Sequence, residues 1–297
     1  MTAPDFFDVG VDGGELRVAR WGNGSRIVLG MHGITASCIS LAPIARHLDQ
    51  GFSLVAPDLR GRGGSAFLPG PYGMAAHAAD CSAVLEHLGA GPVVAVGESM
   101  GAFVAVVLAA ARPDLVERLV LVDGGLPLPV PEGMDVDGLL DAVLGPALER
   151  LRRTFPSRHA YLEFWRAHPA LGEEWNEDVE AYLHYDLTGT EPLLRSRVSE
   201  AAVRADGGDS LIHPDVVVSS LRSLRCPVHL MRATRNLLNQ VPPLIPDALV
   251  ETWRATLSGL TDEVVEDTNH YTIAFGERGA KIIAERVRGQ EASGRGR

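Results

Sequence analysis

The chain is predicted to fold as a mostly parallel, doubly wound α/β sheet with an inserted helical lid. Three observations carry this. Short apolar runs alternate with helical stretches up to Gly125, the pattern of strands covered by helices on both faces. The pentapeptide Gly97-Glu98-Ser99-Met100-Gly101 joins one such run directly to a helical stretch. Strand character then lapses after Asp123 and resumes only at Cys226. A length of 297 residues, 46% of them hydrophobic, allows one large core or one domain carrying an insertion.

The elements follow in order. Residues 6–11 and 15–21 form an opening hairpin around Asp12-Gly13-Gly14, because Gly-Gly supplies the positive φ angles of a tight turn. Residues 26–31, 53–57, 93–96, 119–122 and 228–231 are apolar runs of strand length, as expected of buried strands. Helices are expected at 41–48, 74–88 and 99–111; the second has apolar residues at helical spacing and ends at Gly89, a helix stop. From Gly124 to Pro131 the glycines and prolines break regular structure, and the stretch to about Leu221 reads as amphipathic helices without a strand. The expected organisation is therefore a core of residues 1–125 and 222–288, a lid of 126–221, and a disordered Gly-, Ser- and Arg-rich tail at 289–297 after a last helix at 275–287. The lid holds Tyr161, Trp165, Trp175, Tyr182 and Tyr185, which suits an apolar face over a cavity.

The net charge of −11 and the scattered arginines argue against nucleic-acid binding and against attachment to anionic membranes. With no membrane-length apolar window and no basic-then-apolar leader, a soluble, cytoplasmic protein is expected. Cys38, Cys81 and Cys226 are odd in number and widely spaced, so neither disulfides nor a zinc site are expected.

A strand, a tight glycine-flanked turn and a helix with serine at the turn is an arrangement that lifts the Ser99 hydroxyl above the sheet edge. A serine hydroxyl is a poor nucleophile at neutral pH and needs a base, oriented by an acid. His270 fits the base, since it follows Val264-Val265 and a loop and precedes the last helix. Apart from His32, the other eight histidines fall on early helices, in the lid region or at its end, or inside a strand. Two backbone amides should hold the oxyanion: Met100, at the helix start, and Ile34, after the sharp turn permitted by Gly33. His32 is expected to pin that loop.

The motifs "HGIT" at His32, "DLRGRGGS" from Asp58, "GESMG" at Gly97 and "NHYT" at Asn269, with the order of elements, cover nearly all the chain outside the lid. On these the chain resembles the α/β-hydrolase superfamily, of the lid-bearing esterase and lipase type. The resemblance implies a structural turn at 58–65, with Arg60 and Arg62 as turn and surface features. It also implies an acid after the seventh strand, yet Met231-Arg232-Ala233-Thr234-Arg235-Asn236 offers no carboxylate. Members whose acid follows the sixth strand point instead to Asp123, with Asp267 the second candidate. Asn236 carries no charge to stabilise an imidazolium.

His77 and Asp80 lack further metal ligands and read as a surface or capping pair, Asp206-Gly207-Gly208-Asp209 as a flexible loop, and Glu98 as a local hydrogen-bonding residue. The expected activity is hydrolysis of a small, hydrophobic or aromatic carboxylic ester through Ser99, Asp123 and His270, with no metal or cofactor. Trp165, Leu126 and Tyr271 are expected to face the substrate. A lactonase or carbon-carbon bond hydrolase would use the same residues, and a ligand-holding receptor would keep the fold with little turnover.

Overall fold

The computed structural model describes residues 3–129, 133, 135–144, 146–172 and 174–289. The expected tail thus lies, past Gly289, outside the described residues. Strands β1 (Asp5–Val11) and β2 (Gly14–Trp21) form the opening hairpin, and Gly13 takes φ +86° at its tip. β3 (Arg26–Met31), β4 (Phe52–Pro57), β5 (Val93–Glu98), β6 (Val116–Val122), β7 (Val228–Arg235) and β8 (Leu260–Asn269) complete one sheet in the order β1-β2-β4-β3-β5-β6-β7-β8. Every pairing from β4 onward is parallel. The central strands β4 and β5 are buried along their whole length, which is why they read as unbroken apolar runs.

The helix expected at 41–48 is a 3₁₀ turn, Cys38–Leu41, running into α1 (Ala42–Arg46). α2 (Met74–His87) and α3 (Met100–Ala111) stand where expected. α3 is apolar on nearly every face because it is enclosed, by the sheet on one side and by α2 and later helices on the others.

Between β6 and β7 run α4 (Val136–Leu144), α5 (Pro146–Glu149), α6 (Arg158–Arg166), α7 (Glu177–Asp186), α8 (Glu200–Gly207) and α9 (Asp215–Ser223). Three of these helices are started by a side chain that accepts from first-turn amides: Ser157, Asn176 and Ser199. The segment is not strand-free, since Leu187–Thr188 pairs with Arg195–Ser196. A two-residue ladder is too short to leave an alternating pattern in the sequence. α10 (Asp247–Arg254) follows β7. The last helix is broken into α11 (Thr272–Phe275) and α12 (Glu277–Val287) at Gly276, where a Cβ would stand 2.6 Å from the Thr272 carbonyl. Among the described residues no helix is long and apolar enough to cross a membrane.

Candidate active site

Three chain segments meet at the carboxyl ends of the central strands. The first is the turn between β5 and α3, where Ser99 takes φ +53° and ψ −117°. Steric demand explains the flanking glycines. A Cβ on Gly97 would lie 2.3 Å from the Gly101 carbonyl, and one on Gly101 would lie 2.1 Å from the Met31 carbonyl. The strained serine is held in place by its own amide, which donates to the Val122 carbonyl at 2.9 Å.

The second segment is the end of β6. Asp123 is fully buried with φ +46°, and its amide donates to the Met231 carbonyl at 2.8 Å. Its Oδ1 accepts from the Ala233 amide at 3.1 Å. Gly124 must be glycine because a Cβ there would meet the Ser99 carbonyl at 2.2 Å.

The third segment is the loop after β8. Asn269 closes a turn around the base by accepting from the Tyr271 and Thr272 amides, both at 2.9 Å. Its Nδ2 donates to the Ala170 carbonyl at 3.0 Å. Sequence reading quoted Asn269 within a motif without giving it this work; an Asx residue just before a helix start was the available signal.

These segments bring His270 between the other two. Its Nε2 lies 3.0 Å from Ser99 Oγ and its Nδ1 lies 2.7 Å from Asp123 Oδ2. Burial alone would pull the imidazole pKa down, but the Asp123 hydrogen bond and charge, joined by Glu98, leave it above the usual value. Asp267 is elsewhere: its side chain is exposed and paired with Arg278. Asn236 caps its own turn, accepting from the Leu238 and Gln240 amides.

The loop after β3 faces Ser99 from the other side, and its carbonyls are held from behind by buried cations. Arg62 donates from Nε and Nη2 to the Ile34 carbonyl at 3.0 and 2.9 Å. Arg150 and Tyr182 both donate to the Thr35 carbonyl. Each guanidinium has a carboxylate of its own, Asp206 at the end of α8 for Arg62 and Asp186 at the end of α7 for Arg150. His77 Nε2 stands 3.0 Å from Asp206 Oδ1. Burial holds the His32 pKa down near 3, so that its neutral ring accepts from the Leu59 amide at 3.0 Å.

Several expectations are corrected by this network. Arg60 and Arg62 are buried, not surface features; Arg60 pairs with Asp80, so His77 and Asp80 are core residues rather than an exposed pair. Asp206 is a buried ion-pair partner at a helix end, continued by a π turn over Gly208–Ile212, not part of a flexible loop. Lone charges look solvated in a sequence when their partners are far along the chain.

Two cavity lobes meet over Ser99 and His270, sharing Ile34, Leu144 and Leu237. One is aliphatic, with Leu126, Leu128, Leu211, Leu244 and Ile245 beside Phe103 and Met100. The other holds Thr35, Ser40, Glu98, Tyr182 and Tyr271. Leu126 and Tyr271 thus stand where substrate contact is expected, whereas Trp165 lines neither lobe. It is 1% exposed and packs on His168, Phe164, Tyr271 and the Arg150 guanidinium, 5.1 Å from its ring centroid. Trp165 is thus taken up by neighbouring helices and Arg150, Tyr185 by Phe6 and Asp58, and of the five aromatics expected over the cavity Tyr182 lines the second lobe while aliphatic residues line the first.

Glu98, expected to be a local hydrogen-bonding residue, also stands beside His270. Its Oε1 is 3.7 Å from His270 Nε2, its carboxylate accepts from the Gly33 amide, and burial raises its pKa to about 7.

Residues 26–183 match the sequence profile of the alpha/beta hydrolase fold, more than half of the chain. The chain belongs to the α/β-hydrolase family. It is 40% identical over 131 residues to lipase LipV of Mycobacterium tuberculosis (strain ATCC 25618 / H37Rv), covering 44% of this chain and 48% of that one. The chain therefore spans about half the length of this curated relative. Among solved structures, the fold is similar to a thioesterase domain from the curacin biosynthetic pathway (TM-score 0.76, 20% identity, 97% of this chain and 100% of that one). It is equally similar to E-2-(acetamidomethylene)succinate hydrolase (TM-score 0.76, 22% identity, 96% of this chain and 100% of that one). At these identities the likeness concerns the fold alone.

Proposed function

We propose that this family member is a serine hydrolase that cleaves carboxylic esters through an acyl-enzyme on Ser99. The observation that carries the reading is the continuous hydrogen-bonded line from Asp123 Oδ2 through both His270 nitrogens to Ser99 Oγ, at 2.7 and 3.0 Å. In this reading His270 accepts the Ser99 proton as Oγ attacks the acyl carbon. The oxyanion forms toward the Ile34 and Met100 amides, and His270 returns the proton to the leaving alcohol. Water then repeats the cycle on the acyl-enzyme. Asp123 holds Nδ1–H and stabilises the imidazolium, so the role usually filled after the seventh strand falls to the sixth. A ligand-holding protein without turnover is less well supported once that carboxylate is in place. The segment 126–221 serves as lid, since Leu126, Leu128, Leu144, Ser210 and Leu211 all line the cavity.

Hydrolysis of p-nitrophenyl esters tests the reading. Wild-type protein should turn over, and Ser99→Ala should lower turnover by about a thousandfold or more with its melting temperature preserved. Absence of hydrolysis by the folded wild type, or unchanged rates in the alanine variant, would overturn it.

A further inference from the structure

The two lobes differ in polarity yet share one property. Among the described residues that line them there is no lysine or arginine. Their ionisable groups are two carboxylic acids, Glu98 and Asp123, with His270 between them and the phenols of Tyr182 and Tyr271. The nearest guanidiniums, Arg62 and Arg150, lie behind the oxyanion loop, where backbone carbonyls and Asp206 and Asp186 occupy their donors. His32, also behind the loop, is neutral. Both tyrosines are pushed above their usual pKa by burial and stay protonated, so nothing facing Glu98 except His270 carries positive charge.

Glu98 also sits against this loop. The Gly33 amide donates to it, and a Cβ on Gly33 would stand 2.7 Å from its Oε2, so glycine at this position makes room for the carboxylate. A carboxylate brought into either lobe would lose its water and meet like charge with no cation in return, an unfavourable combination at a buried site.

Resting on the serine-hydrolase reading above, we infer that this site takes neutral esters, with an aliphatic arm against Leu126, Leu244 and Ile245 and an uncharged, hydrogen-bonding arm beside Glu98, and that Glu98 sets the rejection of anionic substrates. The second arm is uncharged because Glu98 faces it. It is hydrogen-bonding because Glu98, Ser40 and the Tyr271 phenol offer donors and acceptors that an aliphatic group would leave without partners, the Tyr182 proton being already given to the Thr35 carbonyl.

The test compares matched esters at pH 8, where Glu98 is mostly ionised. p-Nitrophenyl hexanoate is paired with the p-nitrophenyl monoester of adipic acid, which puts a carboxylate on the acyl arm. The methyl ester of 4-hexanoyloxybenzoic acid is paired with the free acid, which puts it on the alcohol arm. In the wild type each neutral ester should exceed its anionic partner in kcat/KM by about a hundredfold or more. Glu98→Gln, which keeps an acceptor for the Gly33 amide, should narrow the ratio for at least one pair by about tenfold. Anionic esters hydrolysed within threefold of their partners, or ratios unchanged in a folded Glu98→Gln protein, would overturn the inference. If that variant fails to fold, the wild-type ratios at pH 6 and pH 8 serve instead, and they should narrow as Glu98 becomes protonated. Labelling of Ser99 by a neutral fluorophosphonate separates the two levels. A labelled enzyme without charge discrimination refutes the substrate inference alone, while an unlabelled, inactive protein refutes the hydrolase reading and this inference with it.

Discussion

The two halves of the candidate site are built on different foundations. Ser99, Asp123 and His270 come from the ends of β5, β6 and β8, and the hydrogen bonds that fix them run mainly to neighbouring strands: Ser99 to Val122, Asp123 to Met231 and Ala233. The loop from His32 to Ala36, the proposed oxyanion loop, rests on charged side chains instead. Arg62 reaches it from the turn after β4 but depends on Asp206 of α8, and Arg150 reaches it from the inserted segment itself. On the proposed reading, proton transfer would thus be supported by the sheet and charge stabilisation largely by the inserted segment. A change in the inserted segment should then reach the chemistry mainly through the loop after β3, and secondarily through Asn269, whose Nδ2 donates to the Ala170 carbonyl beside His270.

Asp123→Asn should break the sheet-supported half most severely, lowering turnover by about a thousandfold or more, because the imidazolium loses its charge partner and the Nδ1 tautomer loses its anchor. Asp267→Asn and Asn236→Ala should stay close to wild type in the same ester assay. An inactive Asp267 variant beside an active Asp123 variant would remove Asp123 from the triad.

Arg62→Lys probes the lid-supported half. Lysine keeps the charge beside Asp206 but cannot donate twice to the Ile34 carbonyl in a planar fork. Removing a whole oxyanion donor costs about a hundred- to a thousandfold, so misplacing one should lower kcat by about ten- to a hundredfold with KM little changed. Equal effects on kcat and KM, or a loss explained wholly by unfolding, would mean that Arg62 only holds the fold.

Trp165→Ala and Leu244→Ala should separate lid support from substrate contact. The first removes a fully buried indole over Arg150 and should cost about 3–5 kcal/mol of stability, with activity falling evenly across acyl chain lengths. The second trims the aliphatic lobe and should change chain-length preference by about 1–3 kcal/mol with little change on acetate esters. The reverse pattern would put Trp165 against substrate.

The smallest effect concerns pH. The proposed mechanism needs neutral His270, so kcat/KM should rise with pH through the imidazole pKa, which burial lowers but Asp123 and then Glu98 raise above its usual value. Glu98→Gln removes one of the raising charges and should move the acidic limb to lower pH, the macroscopic value belonging to the His270–Glu98 pair. A limb that stays in place would show that Glu98 and His270 do not interact across their 3.7 Å separation.

Legibility in the sequence follows the same division. The sheet, the turn at Ser99 and the placement of His270 beside it could be read because their requirements are local: glycine on both sides of Ser99, an apolar run before it, and a histidine between the last strand and the last helix. Asp123 was legible as a strand-ending carboxylate once the end of β7 offered none. The lid-supported half was not, because a buried arginine looks like a solvated one until its partner is found, and Asp206 lies 144 residues beyond Arg62. The lining of the aliphatic lobe was hidden likewise. Leu237, Leu244 and Ile245 come from the loop after β7, which carries no periodicity to show which way its side chains point.

The central claim is that Ser99 is a nucleophile activated by His270. Reaction with a neutral fluorophosphonate, followed by intact-mass measurement and peptide mapping, tests it most directly. One adduct per chain on the peptide holding Gly97-Glu98-Ser99-Met100-Gly101, absent from Ser99→Ala and strongly slowed in His270→Ala, is the predicted result. Full labelling of the folded Ser99→Ala protein, or an adduct mapped to another residue, would contradict it.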